Sequence, residues 1–340
     1  MKKFLSILLA LALVLSLGTV AFAAGGEPST TYEDQGTVTL KKIYKLENES
    51  TTSPAETFTF SAVTCDAVEG VGNDVTKENA PLPTVSPVQF EEGTATTEGK
   101  EGTFTITLPE ISEYKSVGVY TYSFTENTGT TAGVEYSTQK IELKVYVLND
   151  GNGSYIRVPS IVTKVGDKKL ESIENTYSAG SLAVTKSVTG NLGDKQKDFN
   201  VTVTFTKPEG KTVNSTISYT DETDTETILP TEWSGNTATA NITLKDGETV
   251  TFTNIPYEVT YTVVEEDYTG EGYLAAQYDD NANGTINAAA ISTTITNDKN
   301  VEGVIDTGVF MDSLPYVLLL VGACAGLVVF FARRRMTHKG

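Results

Sequence analysis

Residues 140–148 read Lys-Ile-Glu-Leu-Lys-Val-Tyr-Val-Leu and place an apolar side chain at every second position. This alternation has the two-residue period of a β-strand with one buried face. The same pattern recurs in segments 57–63, 102–108, 199–205 and 258–265. Turn-forming clusters, such as Asn-Asp-Gly-Asn-Gly at 149–153, lie between such segments. We therefore expect an all-β protein built from immunoglobulin-like Greek-key β-sandwiches.

The chain repeats this organisation once along its length. Three short motifs occur in the same order in both halves: GTVTLKK (36–42) and GSLAVTK (180–186), YSFTE (122–126) and YTVVE (261–265), and IEN (173–175) and ITN (295–297). The repeat predicts two tandem domains, at residues 27–178 and 179–299, and each length suits a single sandwich. Within the first domain, residues 84–97 have the composition of a loop.

Composition excludes several classes of function. The 340 residues include Lys+Arg 25, Asp+Glu 44 and a single histidine, His338, and the formal net charge is −19. One histidine close to the C-terminus excludes Ser-His and Cys-His catalysis and any multi-histidine metal site. The acidic balance argues against nucleic acid, because phosphate binding requires Lys and Arg. We expect no metal and no cofactor.

Both ends of the chain carry export features. Residues 1–23 combine two lysines, an apolar run and Ala-Phe-Ala, as in a cleaved secretory signal peptide. The alternative is an uncleaved N-terminal membrane anchor. Leu314 to Ala332 contains no charged residue and precedes three arginines, which predicts a transmembrane helix with a cytoplasmic tail within residues 300–340. The two β domains would then lie outside the cell.

Each half contains a lysine, a glutamate and an asparagine that strand alternation places among core residues: Lys42, Glu126 and Asn175 in the first half, and Lys186, Glu265 and Asn297 in the second. Buried Lys and Glu are rare unless they are paired or functional. Burial favours a neutral amine and a protonated carboxyl group. A neutral amine can attack the asparagine carboxamide while glutamate transfers protons, which would release ammonia and form a Lys–Asn isopeptide bond. The alternative is a conventional buried Glu–Lys pair.

At these residues the sequence resembles the major (backbone) pilins of Gram-positive bacteria, of the two-domain streptococcal type. The resemblance implies a Lys42–Asn175 bond assisted by Glu126 and a Lys186–Asn297 bond assisted by Glu265. Segments 126–136 and 265–273 loosely resemble the pilin E-box, although its usual Ala-Pro is missing. The choice of Glu265 over its neighbour Glu266 therefore depends on the spacing to the following tyrosine.

The residues before the apolar run resemble a sortase sorting signal of the LPxTG class. The motif comprises Val304, Ile305, Asp306, Thr307 and Gly308, with Val and Ile in place of Leu and Pro. The resemblance implies that Thr307 is acylated onto the sortase cysteine and that Gly308 departs with the membrane span. The sortase class stays open because Ile305 departs from the pattern. The alternative is a permanent membrane protein.

Polymerisation would require an acceptor lysine on the next subunit. The family places this lysine near the end of the first domain, where Lys164, Lys168 and Lys169 occur, and Lys168 is our choice. The implied partners are sortase, further copies of this chain in a covalent polymer, peptidoglycan or a basal pilin, and a tip adhesin.

Three functions fit the sequence to different degrees. The first is a structural subunit of a covalent pilus shaft, and the second is a monomeric wall-anchored adhesin or stalk. The third, a glycosidase with paired carboxylates, is disfavoured because the repeated glutamates fall in strand cores beside Lys and Asn. We expect self-catalysed bond formation and no other enzymatic activity.

Overall fold

The structure, a computed structural model, describes residues 32–165, 168–220, 226–229 and 233–301. The predicted signal peptide, the predicted sorting motif and the apolar run before the C-terminus lie outside these residues. Among the residues described, no helix has the length and apolarity to cross a membrane. The helical elements found there are two single turns of 3-10 helix, Ile111–Glu113 and Thr269–Glu271.

The N-terminal half forms thirteen strands: β1 (Thr37–Leu46), β2 (Glu56–Phe58), β3 (Thr64–Glu69), β4 (Thr84–Val85), β5 (Val88–Phe90), β6 (Lys100–Thr107), β7 (Gly118–Phe124), β8 (Val134–Glu135), β9 (Ile141–Asn149), β10 (Tyr155–Ile161), β11 (Lys164–Val165), β12 (Lys168–Lys169) and β13 (Ser172–Tyr177). One sheet has the order β4-β6-β1-β13-β8 and the other β10-β9-β7-β3. Strands β2 and β5 form a small separate pair. The prediction of a loop over residues 84–97 was wrong in part, because β4 and β5 fall there.

The C-terminal half forms ten strands: β14 (Ala179–Thr189), β15 (Phe199–Thr206), β16 (Ser218–Thr220), β17 (Glu226–Ile228), β18 (Thr237–Leu244), β19 (Thr249–Pro256), β20 (Thr260–Glu265), β21 (Gln277–Tyr278), β22 (Asn283–Thr285) and β23 (Ala290–Asp298). The sheet orders are β17-β16-β19-β14-β23-β21 and β18-β15-β20-β22. Each half encloses its own apolar core, so the prediction of two tandem immunoglobulin-like sandwiches is confirmed.

The first and last strands of each sandwich are neighbours and run parallel. In the N-terminal sandwich β1 pairs with β13, and in the C-terminal sandwich β14 pairs with β23. A parallel pair requires a long connection, and here the rest of each sandwich supplies it. Residues far apart in sequence, at the start and end of a domain, are thereby brought side by side.

The two sandwiches meet in a hydrogen-bonded joint. Thr131 and Thr212 form a parallel bridge between the two halves. Asn254 has a left-handed backbone (φ 57°), a conformation that asparagine adopts more readily than most residues. Its side chain accepts a hydrogen bond from the Thr52 N–H (3.0 Å) and donates one to the Thr216 carbonyl (3.1 Å). The joint therefore ties loops of the N-terminal sandwich to the C-terminal one through backbone groups.

Candidate functional site

The lysine of each triple lies on the first strand of its sandwich and the asparagine on the last. Lys42 is paired with Ile173 across β1 and β13, so that Asn175 lies one side-chain step further along the same face. Lys186 is paired with Ile295 across β14 and β23, and Asn297 has the same offset. The two sandwiches therefore repeat the Lys–Asn geometry in the same register.

The glutamate approaches from the opposite sheet. Glu126 lies just after β7, where it forms an isolated bridge with Phe60, and Glu265 ends β20. Both glutamates face inward because they continue the buried alternation of their strands. Each triple thus spans the core between two sheets.

All six side chains are buried. Lys42 and Lys186 are each 0% exposed, and both asparagines are 1% exposed. Burial lowers the pKa of both lysine amines below the ordinary value of 10.5, because desolvation penalises the ammonium form. The neighbouring glutamate opposes this shift without reversing it. Burial therefore shifts both amines toward the neutral form.

In the N-terminal sandwich the three groups form a closed hydrogen-bonded triangle. The Lys42 amine donates to the Asn175 side-chain oxygen and to the Glu126 carboxylate. The Asn175 Nδ2 in turn donates to Glu126 Oε1 at 2.5 Å. The amine, the carboxamide and a carboxyl group are therefore in mutual contact, an arrangement in which the amine could attack the carboxamide while the carboxyl group moved the protons.

The C-terminal triple is similar but looser around the glutamate. Lys186 Nζ donates to Asn297 Oδ1 at 2.5 Å and lies 3.5 Å from Glu265 Oε1. Neither Glu265 oxygen meets the geometry of a hydrogen bond among the described residues. Burial raises the pKa of the Glu265 carboxyl above its ordinary value, although Lys186 opposes the shift. Burial thus shifts Glu265 toward its protonated form and Lys186 toward its neutral form.

The structure distinguishes Glu265 from its neighbour. Glu266 is exposed on the other face of the strand and accepts a hydrogen bond from Asn200 Nδ2 at 2.9 Å. Successive residues of a strand point to opposite faces, so only one of the two can face Lys186. The residue that faces Lys186 is Glu265.

Sequence reasoning missed one aromatic ring at each site. The Lys42 amine lies 4.4 Å from the ring centroid of Phe58, and the Lys186 amine lies 4.4 Å from that of Phe199. These rings shield the amines from water, which contributes to the desolvation that favours the neutral form. Both phenylalanines lie in alternating segments recognised as strands, but alternation alone does not reveal which core ring faces the lysine.

The remaining predicted residues lie away from these sites or outside the described residues. Sorting-motif residues 304–308 belong to the latter group. The lysine-rich segment is a short antiparallel pair in which Val165 is opposite Lys168. Lys169 is exposed, and its Nζ contacts Ser160 Oγ at 3.1 Å. No cluster of three or more His, Cys, Asp or Glu side chains suited to a metal occurs in the part of the chain described.

Comparison with known proteins gives a family match for each half of the chain. Residues 38–178 match the family model of the Spy0128-like isopeptide containing domain, and residues 180–299 match a domain of unknown function (DUF7601). A curated relative, a pilin of Streptococcus pyogenes serotype M1, is 28% identical over 95% of this chain and 98% of its own length.

Solved structures extend this similarity to three dimensions. The crystal structure of the major pilin from Streptococcus pyogenes matches with a TM-score of 0.55 and 26% identity, over 78% of this chain and 99% of that one. A second major pilin (T3.2) from the same species shares the fold, with a TM-score of 0.53 and 22% identity, over 79% of this chain and 99% of its own. Residues 38–178 are thus similar to the Spy0128-like isopeptide containing domain, and the chain as a whole resembles the major pilins of Streptococcus pyogenes.

Proposed function

We propose that this protein is the structural subunit of a covalent pilus shaft on the surface of a Gram-positive cell. The observation that carries the proposal is the duplicated, buried Lys–Glu–Asn triple, placed in the same register on the first and last strands of both sandwiches. Its homologues are major pilins, and their similarity covers both sandwiches. The two domains of the subunit are residues 27–178 and 179–299.

Each triple is proposed to form an intramolecular isopeptide bond. The protonated glutamate donates a hydrogen bond to the asparagine carboxamide oxygen, and the neutral lysine Nζ attacks Cγ. As the C–N bond forms, the glutamate proton passes to that oxygen, and the carboxylate left behind takes a proton from Nζ. Glutamate returns a proton to Nδ2, the Cγ–Nδ2 bond breaks, and ammonia leaves. The products are Lys42–Asn175 and Lys186–Asn297 amides with the glutamates restored to their starting state.

Sortase is proposed to join the subunits. Thr307 of the 304–308 motif would be acylated onto the sortase cysteine and then transferred to a lysine of the next copy, for which Lys168 is the proposed acceptor. Transfer to a peptidoglycan amine or to a basal pilin would end the chain at the wall, and a tip adhesin would cap the other end. The precursor would be held in the plasma membrane by 314–332.

Intact-mass measurement tests the isopeptide bonds. The described segment, residues 32–301, is expected to be lighter than its sequence mass by two molecules of ammonia. Glu265→Gln should restore the mass of one ammonia, because glutamine cannot transfer the protons. The matched control is Glu266→Gln, which alters the adjacent exposed carboxylate and should leave the mass loss complete. A full unmodified mass for the parent segment contradicts the proposal.

A wall extract tests the polymer. Cells that produce the full chain should yield a ladder of high-mass species that survives boiling in detergent. A single wall-linked band would instead identify a monomeric adhesin or stalk with the same two domains.

A further inference from the structure

The edge strands of the N-terminal sandwich each carry a feature that discourages pairing with another chain. A free strand edge presents unpaired backbone groups, and natural proteins block it with short strands, charges, proline or bulges. Strand β3 contains a register shift between Cys65 and Ala67. Strand β10 contains Pro159. The segment that precedes β1 lies along the edge of β10, where the Gln35 N–H donates to the Arg157 carbonyl at 2.9 Å. The other two edges, β4 and β8, have two residues each.

The C-terminal sandwich has one edge without such a feature. Strands β17, β21 and β22 are two or three residues long. Strand β18, in contrast, has eight residues, Thr-Ala-Thr-Ala-Asn-Ile-Thr-Leu, with no charge, proline, glycine or register shift. Among the described residues its partner strand is β15 alone, apart from a bridge between Thr237 and Ser234 in the preceding turn, so the rest of β18 ends its sheet. Within the part of the chain that the structure describes, β18 from Ala238 onward is therefore the long strand edge without such a feature.

The outer face beside this edge is uncharged. Thr239, Asn241 and Thr243 of β18 point outward and are exposed. The outward residues of the two neighbouring strands also carry no charge: Asn200, Thr202, Thr204 and Thr206 on β15, and Thr260, Thr262 and Val264 on β20. Because the chain carries a net charge of −19, two copies repel each other least where their surfaces lack charge.

The sequence of β18 is compatible with pairing to itself. An antiparallel pair of two copies centred on Asn241 places Thr239 opposite Thr243 and Ala240 opposite Ile242. This register keeps every hydroxyl and amide on the outer face and every apolar side chain on the inner face. A register shifted by one residue would mix the two faces, so the alternation selects the twofold arrangement.

We propose that β18 is a lateral docking edge that pairs with β18 of a second copy of this chain. The two four-stranded sheets would join across a twofold axis into a continuous sheet of eight strands. This association is noncovalent and side by side, and it depends neither on the isopeptide bonds nor on sortase. In a pilus it would bundle neighbouring shafts.

Sedimentation of residues 32–301 tests the proposal. This segment is expected to fold by itself, because each of its sandwiches has its own core. The solved S. pyogenes pilin also aligns over 99% of its length with 78% of this chain. Pairing by one strand buries little surface, so a reversible dimer is expected only at high protein concentration. Thr239→Lys with Thr243→Lys should weaken dimerisation by about tenfold or more, since the twofold register sets these lysines against each other.

The matched control is Thr260→Lys with Val264→Lys, which adds the same charge at the same spacing on the same outer face, but on β20. It should leave the dimer unchanged. A second test replaces Asn241 by cysteine in a Cys65→Ser background, where oxidation should yield a disulfide-linked dimer. Thr262→Cys in that background should stay monomeric. A protein that remains monomeric at millimolar concentration, or a β20 variant that loses the dimer as the β18 variant does, overturns the proposal.

Discussion

Replacing Lys42 by methionine is the cleanest perturbation of the proposed bond in the N-terminal sandwich. Methionine fills a volume similar to the lysine stem and makes no isopeptide bond, so packing is largely kept while the cross-link is lost. The substitution removes the buried amine, while Glu126 keeps the hydrogen bonds from Asn175 Nδ2 (2.5 Å) and the Ser137 N–H (3.3 Å). Any loss of stability in this variant therefore reports mainly on the bond.

The expected loss follows from the length of the closed loop. Lys42 and Asn175 are 133 residues apart in sequence. The chain-entropy model assigns a cross-link over such a loop about 5 kcal/mol of stabilisation. For a sandwich of this size, that free energy corresponds to a decrease of roughly 15–20 °C in the unfolding temperature of the N-terminal sandwich.

Calorimetry and mass measured on the same samples provide the assay. The parent segment should show two high unfolding transitions, and Lys42→Met should lower one of them while the mass loss falls to one ammonia. Glu126→Gln should likewise show a mass loss of only one ammonia but unfold at a lower temperature still, because Lys42 then stays buried without its carboxylate. An unfolding temperature for Lys42→Met within about 3 °C of the parent would refute the loop-closure reasoning.

Three further predictions address other parts of the molecule. Arg157→Met should lower the free energy of unfolding by about 2–3 kcal/mol in denaturant titrations, because Arg157 donates from Nε and Nη2 to Asp34 (2.9 and 2.5 Å) and from Nη1 to the Pro109 carbonyl (2.5 Å); an unchanged midpoint would show that water replaces these bonds. In the uncross-linked variant Lys186→Met, which also removes the opposing amine, stability should fall as the pH rises above 4.5, since burial raises the pKa of Glu265 and the folded state keeps a proton that the unfolded chain releases. Adding Glu265→Gln should flatten that slope in urea titrations, and a slope that survives would point to another group. Thr307→Ala should abolish both the ladder and wall attachment in cell extracts, whereas Lys168→Ala should abolish only the ladder; ladders that persist in the latter move the acceptor to Lys164 or Lys169.

Strand alternation was sufficient to place the lysine, glutamate and asparagine of each triple on inward faces. Burial is a local consequence of the two-residue period, so it can be read without knowing which strands are neighbours. The parallel pairing of β1 with β13 could not be read in this way, because alternation does not state which strand lies beside which. The repeated order of the Lys, Glu and Asn motifs, and not the alternation, led to the prediction that the three residues meet.

Strand alternation in the sequence did not predict several other features of the fold. Strands β4 and β5 have two and three residues, which is too short for a period to be visible. The joint between the sandwiches depends on single contacts, such as the Thr131–Thr212 bridge and the left-handed Asn254, which only the assembled fold brings together. The contact of Phe58 with Lys42 likewise depends on how two sheets stack.

The two proposed bonds would not share tension equally in a polymer linked through Lys168 and Thr307. Pulling on Lys168 loads the chain at β12, immediately before β13, and the load passes through Tyr177 into β14. From there it would cross the Lys186–Asn297 bond to β23, bypassing the intervening part of a loop whose ends are 111 residues apart. Most of the N-terminal sandwich lies off this path, and the Lys42–Asn175 bond would act by holding β13 against β1. The C-terminal bond would therefore carry the tension of the shaft, while the N-terminal bond would keep the acceptor strand from being pulled out of its sheet.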